Sequence, residues 1–181
     1  MNNKIFLFIF VLLNIYYINT VNSIKPKEES VPCMKEGISD KTSFRSSSSS
    51  KSKDMAFAKD KALNSAKQIL ASLIGSTIQS VTDNYSASLN NEKSVSFKQA
   101  FESITKEIVN QQLKNVKIIC EKIVKNKDGM YEAFVAVEIS RMDLIDVISN
   151  KVIEDKQIGV DFDKQKFLEI FDKEMENVEN K

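Results

Sequence analysis

The sequence predicts an α+β fold in which long amphipathic helices pack on a small antiparallel sheet. The element order is β-α-α-β-β-α, followed by a C-terminal amphipathic helix. Three observations carry this. Apolar residues recur at spacings of three and four over residues 54–81, 95–113, 142–153 and 163–178, the period of a helix face. Residues 116–124 and 131–139 are rich in strand formers and flank Asn126-Lys127-Asp128-Gly129, a hairpin signal. The 181 residues are 42% hydrophobic and 28% charged, enough core for one domain and too apolar for general disorder.

Residues 1–23 read as a secretory signal peptide. Lys4 precedes an unbroken apolar run, Ile5 to Leu13, then a shorter patch from Ile15 to Ile18; Val21 and Ser23 suit the −3 and −1 positions of a cleavage site. A membrane anchor is the competing reading. Ile5 to Ile18 is only 14 residues, however, and a span needs about 20 apolar residues. Cleavage removes Lys4 alone among charged residues, leaving 25 basic against 25 acidic side chains. A neutral surface has no long-range pull toward nucleic acid or anionic lipid. Cys33 lies well past the apolar run behind Val31-Pro32, so no lipidation signal is seen. Membrane association would then rest on apolar surface.

Residues 24–41 hold both prolines, Pro26 and Pro32, and read as an extended leader. The α+β domain is expected over 42–153, with linker and terminal helix over 154–181. Ser46 to Ser50 suit either a flexible tract or an edge strand begun by Thr42-Ser43-Phe44-Arg45; the strand is favoured because a strong helix follows at once. Asp54 is the N-cap of that helix. Its stripe is Ala62, Ala66, Ile69, Leu70, Leu73, Thr77 and Val81, and its alanines permit close approach to a sheet. Gly75 weakens it by up to ~1 kcal/mol. A second helix, from about Val95 to Leu113, presents Phe97, Phe101, Ile104 and Ile108.

With Asp128-Gly129 as a two-residue loop, the hairpin pairs Val124 with Ala133, Cys120 with Val137 and Ile118 with Ile139 on the core face. Lys122 is a misfit there. The other face mixes Ile119, Ile123, Phe134 and Ala136 with Glu121 and Glu138. Leu144, Ile145, Ile148 and Val152 form the stripe of the next helix. Phe167, Ile170, Phe171, Met175 and Val178 form that of the last. The last stripe either covers the mixed sheet face, completing a monomer's core, or docks on a partner or second copy. Ile119, Ile123, Phe134, Phe167, Phe171 and Met175 are therefore the candidate interaction surface.

The run Asp54-Met55-Ala56-Phe57-Ala58-Lys59-Asp60-Lys61-Ala62-Leu63, with Ala66-Lys67 and Ser80-Val81-Thr82-Asp83, resembles the long helix of a known family. So do Ile108-Val109-Asn110-Gln111, Val116-Lys117-Ile118-Ile119-Cys120-Glu121 and Tyr131 to Glu138. The family is the small Gram-negative envelope proteins related to the twenty-kilodalton membrane-associated lipoprotein; a similar domain occurs in flagellar envelope-assembly proteins. The resemblance covers roughly residues 42–142. It implies a dodecin-like open sandwich, a periplasmic or outer-membrane-associated location, and no established enzyme activity. It brings no catalytic residues to this chain.

Composition excludes much chemistry. There is no histidine, so His-based acid–base catalysis, Ser-His and Cys-His pairs and His-ligated metals are absent. Four glycines and two prolines leave no glycine-rich phosphate loop. Cys33 and Cys120, the only cysteines, suit a disulfide in an exported protein or two reduced thiols. A bridge would close 87 residues and contribute about 4 kcal/mol by chain entropy. Two thiols without Cys-x-x-Cys make a poor metal site. Asp143 with Asp146 and Glu169 with Asp172 read as solvated helix faces. Asp161-Phe162-Asp163 starts like a calcium loop, but Lys166 replaces its glycine. Asn84-Tyr85-Ser86 is a glycosylation sequon that matters only in a eukaryotic secretory pathway.

No catalytic residue, cofactor or metal is expected. The first expectation is an exported, non-enzymatic envelope protein acting through a protein partner or self-association, with no nucleic acid. The alternative is a periplasmic module holding an apolar ligand between sheet and helices or between subunits.

Overall fold

The structure, a computed structural model, describes residues 31–89, 91–156, 158 and 162–179. The signal peptide, residues 24–30 of the leader, Gly159 and Asp161 lie outside them. The elements are β1 (Ser43–Ser52), α1 (Met55–Ser86), α2 (Asn91–Gln112), a 3₁₀ turn (Leu113–Asn115), β2 (Lys117–Lys125), β3 (Tyr131–Ser140), α3 (Arg141–Glu154) and α4 (Lys164–Glu179). The α+β class holds: helices pack on a three-stranded antiparallel sheet of order β1-β3-β2.

The serine tract is an edge strand, in continuous register with β3 from Ser43–Ser140 to Ser52–Tyr131. Its small side chains meet the alanines of α1. Ser46 is buried and donates its hydroxyl to the Ala66 carbonyl at 2.7 Å, while Ala58, Ala62 and Ala66 are fully buried. Serine against alanine brings helix and strand close while the buried Ser46 hydroxyl keeps an acceptor. Asp54 caps α1 as expected, its carboxylate accepting from the Phe57 amide at 2.8 Å. The stripe differs at Ile69, which is 50% exposed; Ile74, Ile78 and Tyr85 carry the buried face instead. The helix runs unbroken through Gly75, where an added Cβ would meet nothing within 4 Å.

The hairpin register differs from expectation by one residue. The Gly129 amide bonds the Asn126 carbonyl at 3.0 Å, the Asn126 amide bonds the Met130 carbonyl at 2.8 Å, and Gly129 has φ of 81°. This is a three-residue loop, a turn followed by glycine in the left-handed region. It pairs Ile123 with Ala133, Lys122 with Phe134 and Cys120 with Ala136. A one-residue slip turns the β2 side chains from Cys120 onward to the other face. Lys122 therefore faces outward and is no misfit, Ile123 joins the core, and Cys120 leaves it. A bulge between Ile118 and Cys120 shifts the register again.

The core lies between one sheet face (Phe44, Ala133, Val135, Val137, Ile139) and the helices. The terminal helix does not cover the mixed face. Its Phe171 ring meets Phe44 on the core side at 6.2 Å, and Phe167 meets Tyr85 at 6.2 Å and Phe101 at 5.5 Å. The Tyr85 hydroxyl accepts from the Asp163 amide at 2.7 Å, fixing where the chain enters α4. Of the carboxylates read as solvated faces, Asp146 lies 3.3 Å from Lys164 and Asp172 pairs with Arg141.

Candidate functional site

The second sheet face is built in rows by the observed registers. Arg45, Glu138 and Lys117 form the first row. Ser47, Ala136 and Cys120 form the next, then Ser49, Phe134 and Lys122, then Lys51, Glu132 and Val124. The charged end rows are paired across strands: Arg45 Nε lies 2.7 Å and Lys117 Nζ 3.4 Å from Glu138, and Lys51 Nζ lies 3.3 Å from Glu132.

Residues 33–40 cross this face as a strap. The expectation of an extended leader fails here, because residues 32–37 are coiled in turns and the Gly37 amide bonds the carbonyls of Cys33 and Met34, each at 3.2 Å. At the β2 side a disulfide joins Cys33 to Cys120 with Cα atoms 5.5 Å apart. Cys33 has φ of 61° and its Sγ lies 3.6 Å from the Phe134 carbonyl oxygen. The expected difficulty, Cys33 reaching under a helix to a buried Cys120, disappears because the three-residue loop puts Cys120 on the strapped face. The strap covers Ala136, which is fully buried although it points away from the helices.

At the β1 side, the Arg45 amide donates to Ser39 Oγ at 2.8 Å and the Ser39 hydroxyl donates to the Arg45 carbonyl at 3.0 Å. Asp40 accepts from the Thr42 hydroxyl at 2.6 Å and the Thr42 amide at 2.8 Å, and pairs with Arg45. Gly37 lies against β1 so closely that a Cβ would stand 2.5 Å from the Ser47 Cβ and 2.7 Å from its amide nitrogen. Gly37→Ala is therefore expected to destabilise the fold by about 1–3 kcal/mol, the cost of overpacking. Denaturant unfolding measures it; a variant as stable as the parent would show that the strap yields freely.

The hydrogen bonds from Thr42, joined by Arg45, hold the Asp40 carboxyl down from its ordinary 3.8 to about 2. Arg45 chiefly, and Lys117, hold Glu138 below the usual glutamate range. A carboxylate whose folded pKa is depressed contributes stability above its unfolded pKa and loses it as pH falls through the folded one. The strap's anchorage at Arg45 should accordingly weaken between about pH 4.5 and pH 2. Hydrogen exchange of the Arg45 amide across that window checks this, and constant protection would contradict it.

The candidate residues divide. Cys33 and Cys120 are brought together. Phe134 lies half-buried on the strapped face, Ile119 is half-buried at the bulge, and Ile123 faces the core. Phe167, Phe171 and Met175 are buried in the chain's own core and offer no outer surface. Gly37, Ser39, Asp40 and Arg45 were not anticipated; Asp40-Lys41-Thr42, a short polar turn sequence, was the signal available for them. Among the described residues no cluster of three or more acidic or cysteine side chains could hold a metal, and no helix is long and apolar enough to cross a membrane. A groove of about 340 Å³ runs between α1 and α2, lined by Ala71, Gly75, Ile78, Val109, Glu102 and Lys106 among others. Comparison with protein-family models, with curated proteins and with solved structures finds no match to this chain.

Proposed function

We propose that this chain is an exported, non-enzymatic cell-envelope protein of the membrane-associated lipoprotein type, acting through protein contacts in the periplasm or at the outer membrane of a Gram-negative bacterium. The observation that carries export is the Cys33–Cys120 bridge, since disulfides persist in oxidising compartments and are rare in reducing ones. The apolar segment behind Lys4 agrees with it. The non-enzymatic part draws support from the perturbed carboxylates. Asp40, Asp83 and Glu138 are all pushed down by ion-paired or hydrogen-bonded neighbours, as structural carboxylates are, whereas a general acid is pushed up.

The native protein is expected to begin near Ile24 and to show no free thiol when denatured without reductant. N-terminal sequencing and thiol labelling test this; Lys4 retained, or both thiols free, would overturn it. The alternative is a module for an apolar ligand; the α1–α2 groove, where Gln79, Glu102, Lys106 and Asn110 stand beside Ala71 and Ile78, would have to serve as its site. The space between sheet and α1 is closed by Ser46, Ala62 and Ala66.

A further inference from the structure

We propose that the strap is a redox-released guard over the outer edge of β1, and that reducing Cys33–Cys120 opens this edge to β1 of a second copy of the chain. The proposal deepens the reading above and rests on its claim that the chain acts through protein contacts.

In an antiparallel strand, alternate residues direct both N–H and C=O to the same side. Arg45 exchanges both groups with Ser39, and Ser43 exchanges both with Asp40 at 3.1 and 3.4 Å. Ser43, Arg45, Ser47, Ser49 and Lys51 therefore turn their backbone groups away from β3. The strap occupies the first two by hydrogen bonds and the third by the close approach of Gly37. Its far end is fastened by the disulfide alone among covalent ties.

The two edges of the sheet are guarded differently. β2 carries a bulge and four charges in nine residues, devices that discourage strand addition. β1 has no bulge and only two charges in ten residues, Arg45 and Lys51: its register is unbroken and its centre is five serines. Freed of the strap, it is self-complementary. Antiparallel pairing about Ser47 sets Ser43 opposite Lys51 of the second copy and Arg45 opposite Ser49 of the second copy. Each charge meets a hydroxyl and no like charges oppose. Serines offer no side-chain pockets or anchors to select a foreign peptide, which favours a second copy as the occupant.

Opening is thiol–disulfide exchange with a dithiol. One thiolate of the reductant attacks Cys120 Sγ, the half-exposed end of the bridge, and Cys33 leaves as thiolate. The second thiolate of the reductant then displaces Cys120, closing the reductant's own disulfide. Both protein sulfurs end as thiols once protonated.

The test is the native mass of the full chain, purified from its secreted or envelope fraction, before and after treatment with dithiothreitol. The oxidised protein should be monomeric at tens of micromolar, and the reduced protein and Cys33→Ser/Cys120→Ser should double in mass while keeping their helical signal. Ser49→Lys, which opposes Arg45 of the second copy, should weaken the reduced dimer at least about tenfold. Ser49→Pro, which removes only an outward amide, should do the same without loss of melting temperature in the oxidised form. Equal masses in both redox states, a dimer indifferent to both Ser49 variants, or a reduced chain that unfolds would overturn the proposal. These outcomes are independent of where the chain resides. A cleaved, bridged protein of unchanging mass sinks the guard and spares the proposed function, whereas Lys4 retained with free thiols sinks that function.

Discussion

Deletion of residues 163–181 is expected to unfold this protein. The deletion removes Phe167, Phe171 and Met175, each at most 1% exposed, and uncovers Phe44, Tyr85 and Phe101, which they contact or adjoin in the core. At ~1.5–3 kcal/mol for each large apolar side chain, the loss is about 5–9 kcal/mol before the uncovered partners are counted. That is comparable to the whole stability of an ordinary domain, about 5–15 kcal/mol. Phe167→Ala is the finer probe. Its ring meets Tyr85, Phe101, Phe162 and Phe171 at centroid distances of 5.4 to 6.2 Å, and its truncation should cost about 3–5 kcal/mol. Thermal melts followed by circular dichroism decide both. A truncated chain that melts like the parent would make α4 a docking arm, contrary to its burial.

Replacing both cysteines by serine should lower stability by about 2–5 kcal/mol, because the bridge closes a long loop in the unfolded chain. The loss should be local in its first expression. Strap and β2 amides would exchange faster, while α1, whose Ala58, Ala62, Ala66 and Leu70 are fully buried, would keep its protection. Hydrogen exchange resolved by residue distinguishes this from a uniform loss. Uniform acceleration would mean that the bridge holds the whole domain together rather than one face of it.

Elements with a strong period were legible in the sequence. The α1 stripe, the two strands of the hairpin and the Phe167–Phe171–Met175 face all emerged within a few residues of their observed limits, because burial and periodicity are tied by helix and strand geometry. What failed was set by single atoms or by distant contacts. Asp128-Gly129 suits a two-residue loop, yet the chain uses Gly129 alone in the left-handed region. That choice, worth little in local energy, moved Cys120 across the sheet. The position of α4 depends on the Tyr85 hydroxyl and on Phe44, separated from it in sequence by most of the chain. The strap has no period at all; it is held by a disulfide, a glycine without Cβ, a serine hydroxyl and an aspartate paired with an arginine.

The placing of β3 between β1 and β2 fixes an order of events during synthesis. β1 emerges first, and its partner residues follow roughly 80 to 100 positions later. Until then it is a nascent strand with no mate, exposed to whatever other chains surround it. A valine-rich strand in that position would be a hazard, since apolar, uncharged segments left waiting are the ones that aggregate. A strand of serines can wait in water at little cost. It becomes a strand when β3 arrives to supply the hydrogen bonds and the apolar side of the pairing. The same logic applies to Cys33, which must stay unpaired until Cys120 has been made. The fold is thus closed from its C-terminal half, and variants that slow the completion of β3 should show their damage in yield before they show it in the melting temperature of the molecules that succeed.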